Sequence, residues 1–150
     1  MIRTTLSSIK NVIKGACISY FGLECIGHPM ICSGSSMEPV LNHNDIIFAE
    51  RLSVKTHNYE KGDIVILKCP DDPKQLICKR ILALPGDKIW HDFVDYIIVP
   101  KGHVWLEGDN KDNSTDSRNF GPVPQGLIRS RVLCKLWPPT DFYMIGNIYN

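Results

Sequence analysis

The sequence predicts a mainly β domain, antiparallel in build, behind an N-terminal apolar helix that anchors it to a membrane. Two observations predict it. Beyond about residue 28 no helical periodicity survives. In its place the chain carries a succession of strand-length runs rich in Ile and Val, separated by Gly, Pro, Asn and Asp. A third observation sets the scale. At 150 residues, 43% hydrophobic and 22% charged, the chain is long enough for one domain with a real core and too apolar for wholesale disorder.

The first segment is basic and then apolar. Residues 1–23 hold Arg3, Lys10 and Lys14 but no acid, with Thr4, Thr5, Ser7 and Ser8 among them. This is the flavour of a mitochondrial targeting segment or of a positively charged membrane flank. It runs into GACISYFGLECIGHPMI, residues 15–31, whose one charge is Glu24 and whose Pro29 ends any helix. A spanning helix needs about 20 mostly apolar residues, and this run just approaches that. The reading is an anchor within residues 1–28 and a folded domain over 29–150, with an amphipathic or half-buried helix as the plainer alternative.

The strands expected next are DIIFAE (45–50), DIVILK (63–68), LICKRIL (76–82), DYIIV (95–99) and HVWLEG (103–108). KGD (61–63), CPDDPK (69–74), LPGD (84–87) and PKG (100–102) punctuate them as turns. A net charge of +1 without a basic stripe argues against a nucleic-acid partner. The six cysteines form no C-x-x-C pair and no zinc spacing, so they read as small buried hydrophobes, mostly free thiols.

The run GDNKDNSTDSRNFGP, residues 108–122, is too long and too polar for a minimal hairpin. A calcium loop counted from Asp109 would need glycine sixth and glutamate twelfth, and has Ser114 and Phe120 there. The other unusual stretch is CSGSSMEPVL, residues 32–41, three serines and a glycine before an apolar turn. Serine becomes a nucleophile only when a base takes its proton. None of the five histidines stands in a triad context. Lys79, set in LICKRIL beside Arg80, is the best lysine for a Ser-Lys pair. Lys79 and Arg80 point to opposite faces of a strand, so one can line a cleft while the other reaches solvent. A solvated edge-strand lysine is the alternative for Lys79.

Four ordered blocks resolve these alternatives: SGSSMEP (33–39), KGDIVIL (61–67), KRILALPGD (79–87) and GDNKDNSTDSRNFGPVP (108–124). Together they resemble the signal peptidase I family of membrane-bound serine proteases, most nearly its mitochondrial inner-membrane branch. The resemblance implies a signal-peptidase-type antiparallel β domain. It makes Ser36, the serine immediately before Met37, the nucleophile and Lys79 the general base. It gives Ser114 the task of orienting the lysine, and has Asp116 and Arg118 pair to hold the polar run against the catalytic strand. The backbone N–H of Ser36 is implied as an oxyanion donor. Many relatives add a hydroxyl two residues before the nucleophile, where this chain has Gly34, so Ser33, Ser35 or a backbone N–H would have to serve. The implied substrates are precursor proteins cut at the outer face of the mitochondrial inner membrane, in the intermembrane space. The implied partners are a second, homologous catalytic subunit and the membrane lipid, with no metal or organic cofactor needed. A catalytically silent scaffold subunit and a self-cleaving Ser-Lys repressor-type protease are the competing readings. Intact Ser36 and Lys79 argue against the first, and the apolar N-terminus against the second.

Overall fold

The computed structural model describes residues 10–17, 27–90 and 95–145. Residues 10–17 are helical (α1) and exposed. Among the described residues no helix is long and apolar enough to cross a membrane. The stretch 18–26, which carries most of the expected anchor, lies outside the described residues.

The domain is built from ten strands: β1 (His28–Ile31), β2 (Ile46–Glu50), β3 (Ile64–Lys68), β4 (Leu76–Ala83), β5 (Lys88–Trp90), β6 (Tyr96–Ile98), β7 (His103–Glu107), β8 (Val123–Pro124), β9 (Ile128–Trp137) and β10 (Tyr143–Met144). Two one-turn helices, α2 (Leu52–Lys55) and α3 (Ser117–Phe120), connect them. Eight strands make one antiparallel sheet in the order β1-β2-β9-β3-β4-β7-β8, with β10 also on β9; β5 and β6 form a separate hairpin.

All five expected strands are present. Pro29 sits in β1, an edge strand, where a missing N–H breaks no ladder. The longest strand, β9, is not among those expected. It runs through the middle of the sheet, pairing β3 over its first half and β2 over its second.

Alternation along β3 and β4 sorts the core into two layers. Val65, Leu67 and Ile81 join Leu106, Val104 and Ile128 in one cluster; Ile64 and Ile66 join Met37, Leu41, Ile47 and Val132 in the other. Burying side chains of this size contributes about 1.5–3 kcal/mol each, which fixes the register of β4. The catalytic candidates depend on that register.

Candidate active site

Lys79 lies in β4 opposite Val65 of β3, immediately before Arg80, where the pairing of β4 with β7 begins. Its neighbours along the chain, Ile77 and Ile81, pack into the first core layer. Lys79 is nonetheless no solvated lysine: it is 3% exposed. Burial is the main influence on its ammonium and pushes its pKa below the ordinary value; Asp116 pulls the other way, and Arg118 assists the lowering. Among the described residues no carboxylate stands within ion-pair distance of it.

Arg80, one residue on, corrects the expectation that it reaches solvent. It is 4% exposed. Its guanidinium grips Asp109 with both ends, Nε to Oδ1 at 2.8 Å and one terminal nitrogen to Oδ2 at 2.6 Å. Its other terminal nitrogen donates to the Gly62 carbonyl at 2.7 Å. The pairing of Arg80 with Glu107 in β7 explains this, because Gly108 and Asp109 emerge from β7 beside it. A rigid, always-charged fork suits such a bidentate contact.

The serine turn comes directly after β1. Cys32 N–H donates to the Asp45 carbonyl and Asn44 N–H to the Cys32 carbonyl, which closes its base. Gly34 has φ +97°, a backbone that L side chains rarely adopt, and its N–H donates to His43 Nδ1 at 3.2 Å. Met37 is buried in the second core layer and pins the end of the turn. Ser36, half-buried between the two, lines a cleft of about 490 Å³ together with Ser33, Ser35, Cys78 and Lys79. The two residues at the centre of the expected chemistry thus share one open cavity.

The polar run 108–122 forms its far wall and holds the serine turn directly. Asn110 donates its backbone N–H to the Ser36 carbonyl at 3.1 Å and its side-chain amide to the Ser35 carbonyl at 3.0 Å. Asn113 donates its amide to the Ser35 hydroxyl at 2.5 Å. Gly108 permits the approach: a Cβ there would meet the Ser114 hydroxyl, and would stand 2.5 Å from the Ser36 carbonyl oxygen. Sequence reasoning passed over Asn110 and Asn113. Two amides three residues apart, in a run already too polar for a turn, were the available signal.

Asp116 organises the rest. It is fully buried, caps α3, and accepts from Gly108 N–H at 2.9 Å and from the Ser114 hydroxyl at 2.6 Å. Arg118 closes on it bidentately at 2.9 Å through both nitrogens. Burial alone would raise this carboxyl, but Arg118, Gly108 and Ser114 together outweigh it and hold the pKa at about 2. Ser114 thus donates its hydroxyl hydrogen to Asp116, and its oxygen keeps only acceptor capacity. With Asp109 and Asp116 both taken by arginines, the run is a brace. Among the described residues no group of His, Cys, Asp and Glu is arranged to hold a metal ion.

Comparison with known proteins gives this arrangement a context. The family model for signal peptidase, peptidase S26, matches residues 5–98 and 90–137. Mitochondrial inner membrane protease subunit 1 of Mus musculus is 51% identical, over 92% of this chain and 86% of its own. Its Homo sapiens counterpart is 49% identical over the same shares. Mitochondrial inner membrane protease subunit 2 of Danio rerio is 39% identical, over 82% of this chain and 71% of its own. A cleft joining a serine turn to a buried lysine, braced by the 108–122 run, is the setting of these matches, and the chain belongs to the signal peptidase family, peptidase S26.

Proposed function

We propose that this chain is a serine endopeptidase of the mitochondrial inner membrane that removes sorting signals from precursor proteins delivered to the intermembrane space, using Ser36 and Lys79. The observation that carries the reading is Lys79: a lysine 3% exposed, without a carboxylate partner among the described residues, on the wall of the cleft that holds Ser36. Burial favours its neutral form, and only a neutral amine can take a proton.

Ser36 Oγ attacks the scissile carbonyl as its proton passes to the Lys79 amine. The oxyanion of the tetrahedral intermediate is received by the Ser36 N–H, which the Asn110 contacts to the Ser35 and Ser36 carbonyls keep in place. The lysine ammonium then protonates the departing amine, leaving an acyl-enzyme on Ser36. Water, deprotonated by the same lysine, hydrolyses that ester. Ser114 accepts from the ammonium while its own proton is directed at Asp116. The hydroxyl of Ser35, fixed by Asn113, is the side chain best held to assist at the oxyanion in place of the one missing at Gly34.

The strand-like wall formed by Ile77–Lys79 of β4 is the surface on which an extended substrate would lie. The subunit names of the relatives support a partnership with a second, homologous subunit, and the apolar stretch within residues 1–28 supports attachment to the bilayer. The test replaces Ser36 by Ala and Lys79 by Met, one at a time, in mitochondria lacking the native chain. Each variant should accumulate at normal level while inner-membrane precursors stay unprocessed. Normal maturation with either variant overturns the dyad.

A further inference from the structure

Ser36 sits between two restraints of different kinds. Downstream, Asn110 holds the carbonyls of Ser35 and Ser36, Asn113 holds the Ser35 hydroxyl, and the Glu38 N–H closes on the Ser35 carbonyl at 3.2 Å. Upstream stands Gly34, and packing does nothing to hold it. It is exposed, and a Cβ placed on it would meet nothing within 4 Å. Glycine can adopt the φ of +97° found here, but it can also leave that conformation more readily than any other residue. Among the described residues the Ser33–Gly34 peptide makes one hydrogen bond, from the Gly34 N–H to His43 Nδ1 at 3.2 Å.

His43 is well placed to be that restraint. It lies in the turn that leads into β2, and the turn is closed on both sides of it. The Asn42 N–H donates to the Asp45 carboxylate at 2.7 Å, the Asp45 N–H to the Asn42 carbonyl at 3.2 Å, and the Asn44 N–H to the Cys32 carbonyl at 2.9 Å. Asp45 itself is buried. The ring is thus carried by a fixed segment, while the group it receives belongs to a slack one. A backbone N–H only donates, so Nδ1 carries the lone pair and the proton of the neutral ring sits on Nε2. This is not the arrangement of a general base, whose free nitrogen would face the serine hydroxyl. Here that lone pair is already taken by Gly34.

We propose that His43 is a positioning residue of this protease: by accepting from the Gly34 N–H it fixes the peptide that enters the nucleophile turn, and so aims the Ser36 N–H and hydroxyl into the cleft. The inference rests on the reading of Ser36 as nucleophile. Asn110 clamps the turn from the polar run and His43 clamps it from the approach to β2, so the two restraints meet across residues 34–36. Without His43, Gly34 is free to rotate and Ser36 loses its fixed direction, while the wall at Ile77–Lys79 stays as it is. The loss then falls on kcat and leaves KM nearly unchanged.

The test uses detergent extracts of mitochondria that lack the native chain and express each full-length variant at equal level, with turnover per chain measured over graded concentrations of an inner-membrane precursor. His43→Ala should lower kcat about tenfold with little change in KM, and should unfold at the parent's temperature because the contact is exposed. His43→Asn hangs an amide oxygen on Cγ, where Nδ1 stands in the ring, and should restore kcat to within about twofold of the parent. His43→Gln carries its oxygen one bond farther out and should stay as slow as the alanine variant. Should His43→Ala fold poorly, the Asn and Gln variants decide alone, since they differ in where the oxygen stands. Full kcat with His43→Ala, equal recovery by Asn and Gln, or a loss confined to KM or to stability overturns the role. So does an inactive His43→Asn, because an amide cannot carry a proton and the imidazole would then be doing so. Ser36→Ala, run alongside, separates the two levels. Normal cleavage by it refutes the nucleophile on which the inference rests, whereas an inactive Ser36→Ala beside a fully active His43→Ala refutes only the role of His43.

Discussion

Two strands of this sheet carry nearly the same local sequence with opposite outcomes. β4 reads Ile77-Cys78-Lys79 and β9 reads Leu133-Cys134-Lys135. Both lysines are buried, at 3% and 2% exposure. Lys135 meets Asp45 at 2.6 Å, a buried carboxylate, with Asp141 at 3.8 Å behind it. Lys79 has no such partner among the described residues, and the charges nearest it, on Asp116 and Arg118, are already spent on each other. Burial alone therefore does not distinguish a structural lysine from a reactive one. What distinguishes them is whether a carboxylate from a distant part of the chain arrives to fix the charge.

The largest expected effect breaks this comparison at the reactive end. Lys79→Met should cut turnover by about ten thousandfold while leaving the unfolding midpoint unchanged or raised, because it removes an unpaired buried amine. A large loss of stability would show that Lys79 is held by a partner after all. The mirror substitution should do the reverse. Lys135→Met strands Asp45 in the core and should cost about 3–5 kcal/mol in denaturant unfolding, with turnover of the remaining folded protein retained. Next comes Gly108→Ala. Its added methyl collides with Ser114 and with the Ser36 carbonyl, and displacement of the nucleophile should lower kcat by about a hundredfold with a much smaller change in KM.

Two smaller effects concern pH. With Lys79 as the proposed base, activity should fall on the acid side with the loss of one proton acceptor, since a lysine takes a proton only when neutral. Arg118→Gln removes a cation that holds the lysine's pKa down and frees Asp116 to raise it, so the acid limb should move to higher pH. A limb that stays in place would mean another group sets it. Asp116 gives the smallest effect. Its folded pKa of about 2 lies below the ordinary 3.8, so its contribution to stability is complete above about pH 4 and is lost as pH falls toward 2. Asp116→Asn, though less stable overall, should show a flatter acid limb in thermal unfolding than the parent.

The comparison of the two lysines also shows why some of this molecule was legible in its sequence and some was not. The Ile- and Val-rich runs of β2, β3, β4 and β7 announced themselves because their pattern is local. β9 did not, because Arg129, Arg131 and Lys135 interrupt its apolar residues. Arg131 and Lys135 become tolerable inside a sheet through Glu50, Asp63 and Asp45, which lie some 70 to 90 residues earlier. The turn of Ser36 and the strand of Lys79 were marked by the motif they share with a protease family, and local chemistry alone would have left Lys79 level with an edge-strand lysine. Arg80 was misread for the same reason as β9: its partner, Asp109, is 29 residues away.

The adjacency of Lys79 and Arg80 has one further consequence. Lys79 supplies the cleft, and Arg80 holds the loop that supports Ser36, through Asp109 and then Asn110. If β4 paired with β3 one residue out of register, Arg80 would enter the cleft in place of Lys79. A guanidinium cannot surrender its proton at any pH the protein meets, and Asp109 would lose its partner, loosening the serine turn at the same moment. A single slip would therefore disable both halves of the proposed dyad together. On the proposed mechanism, a chain mispaired in this way would be inactive.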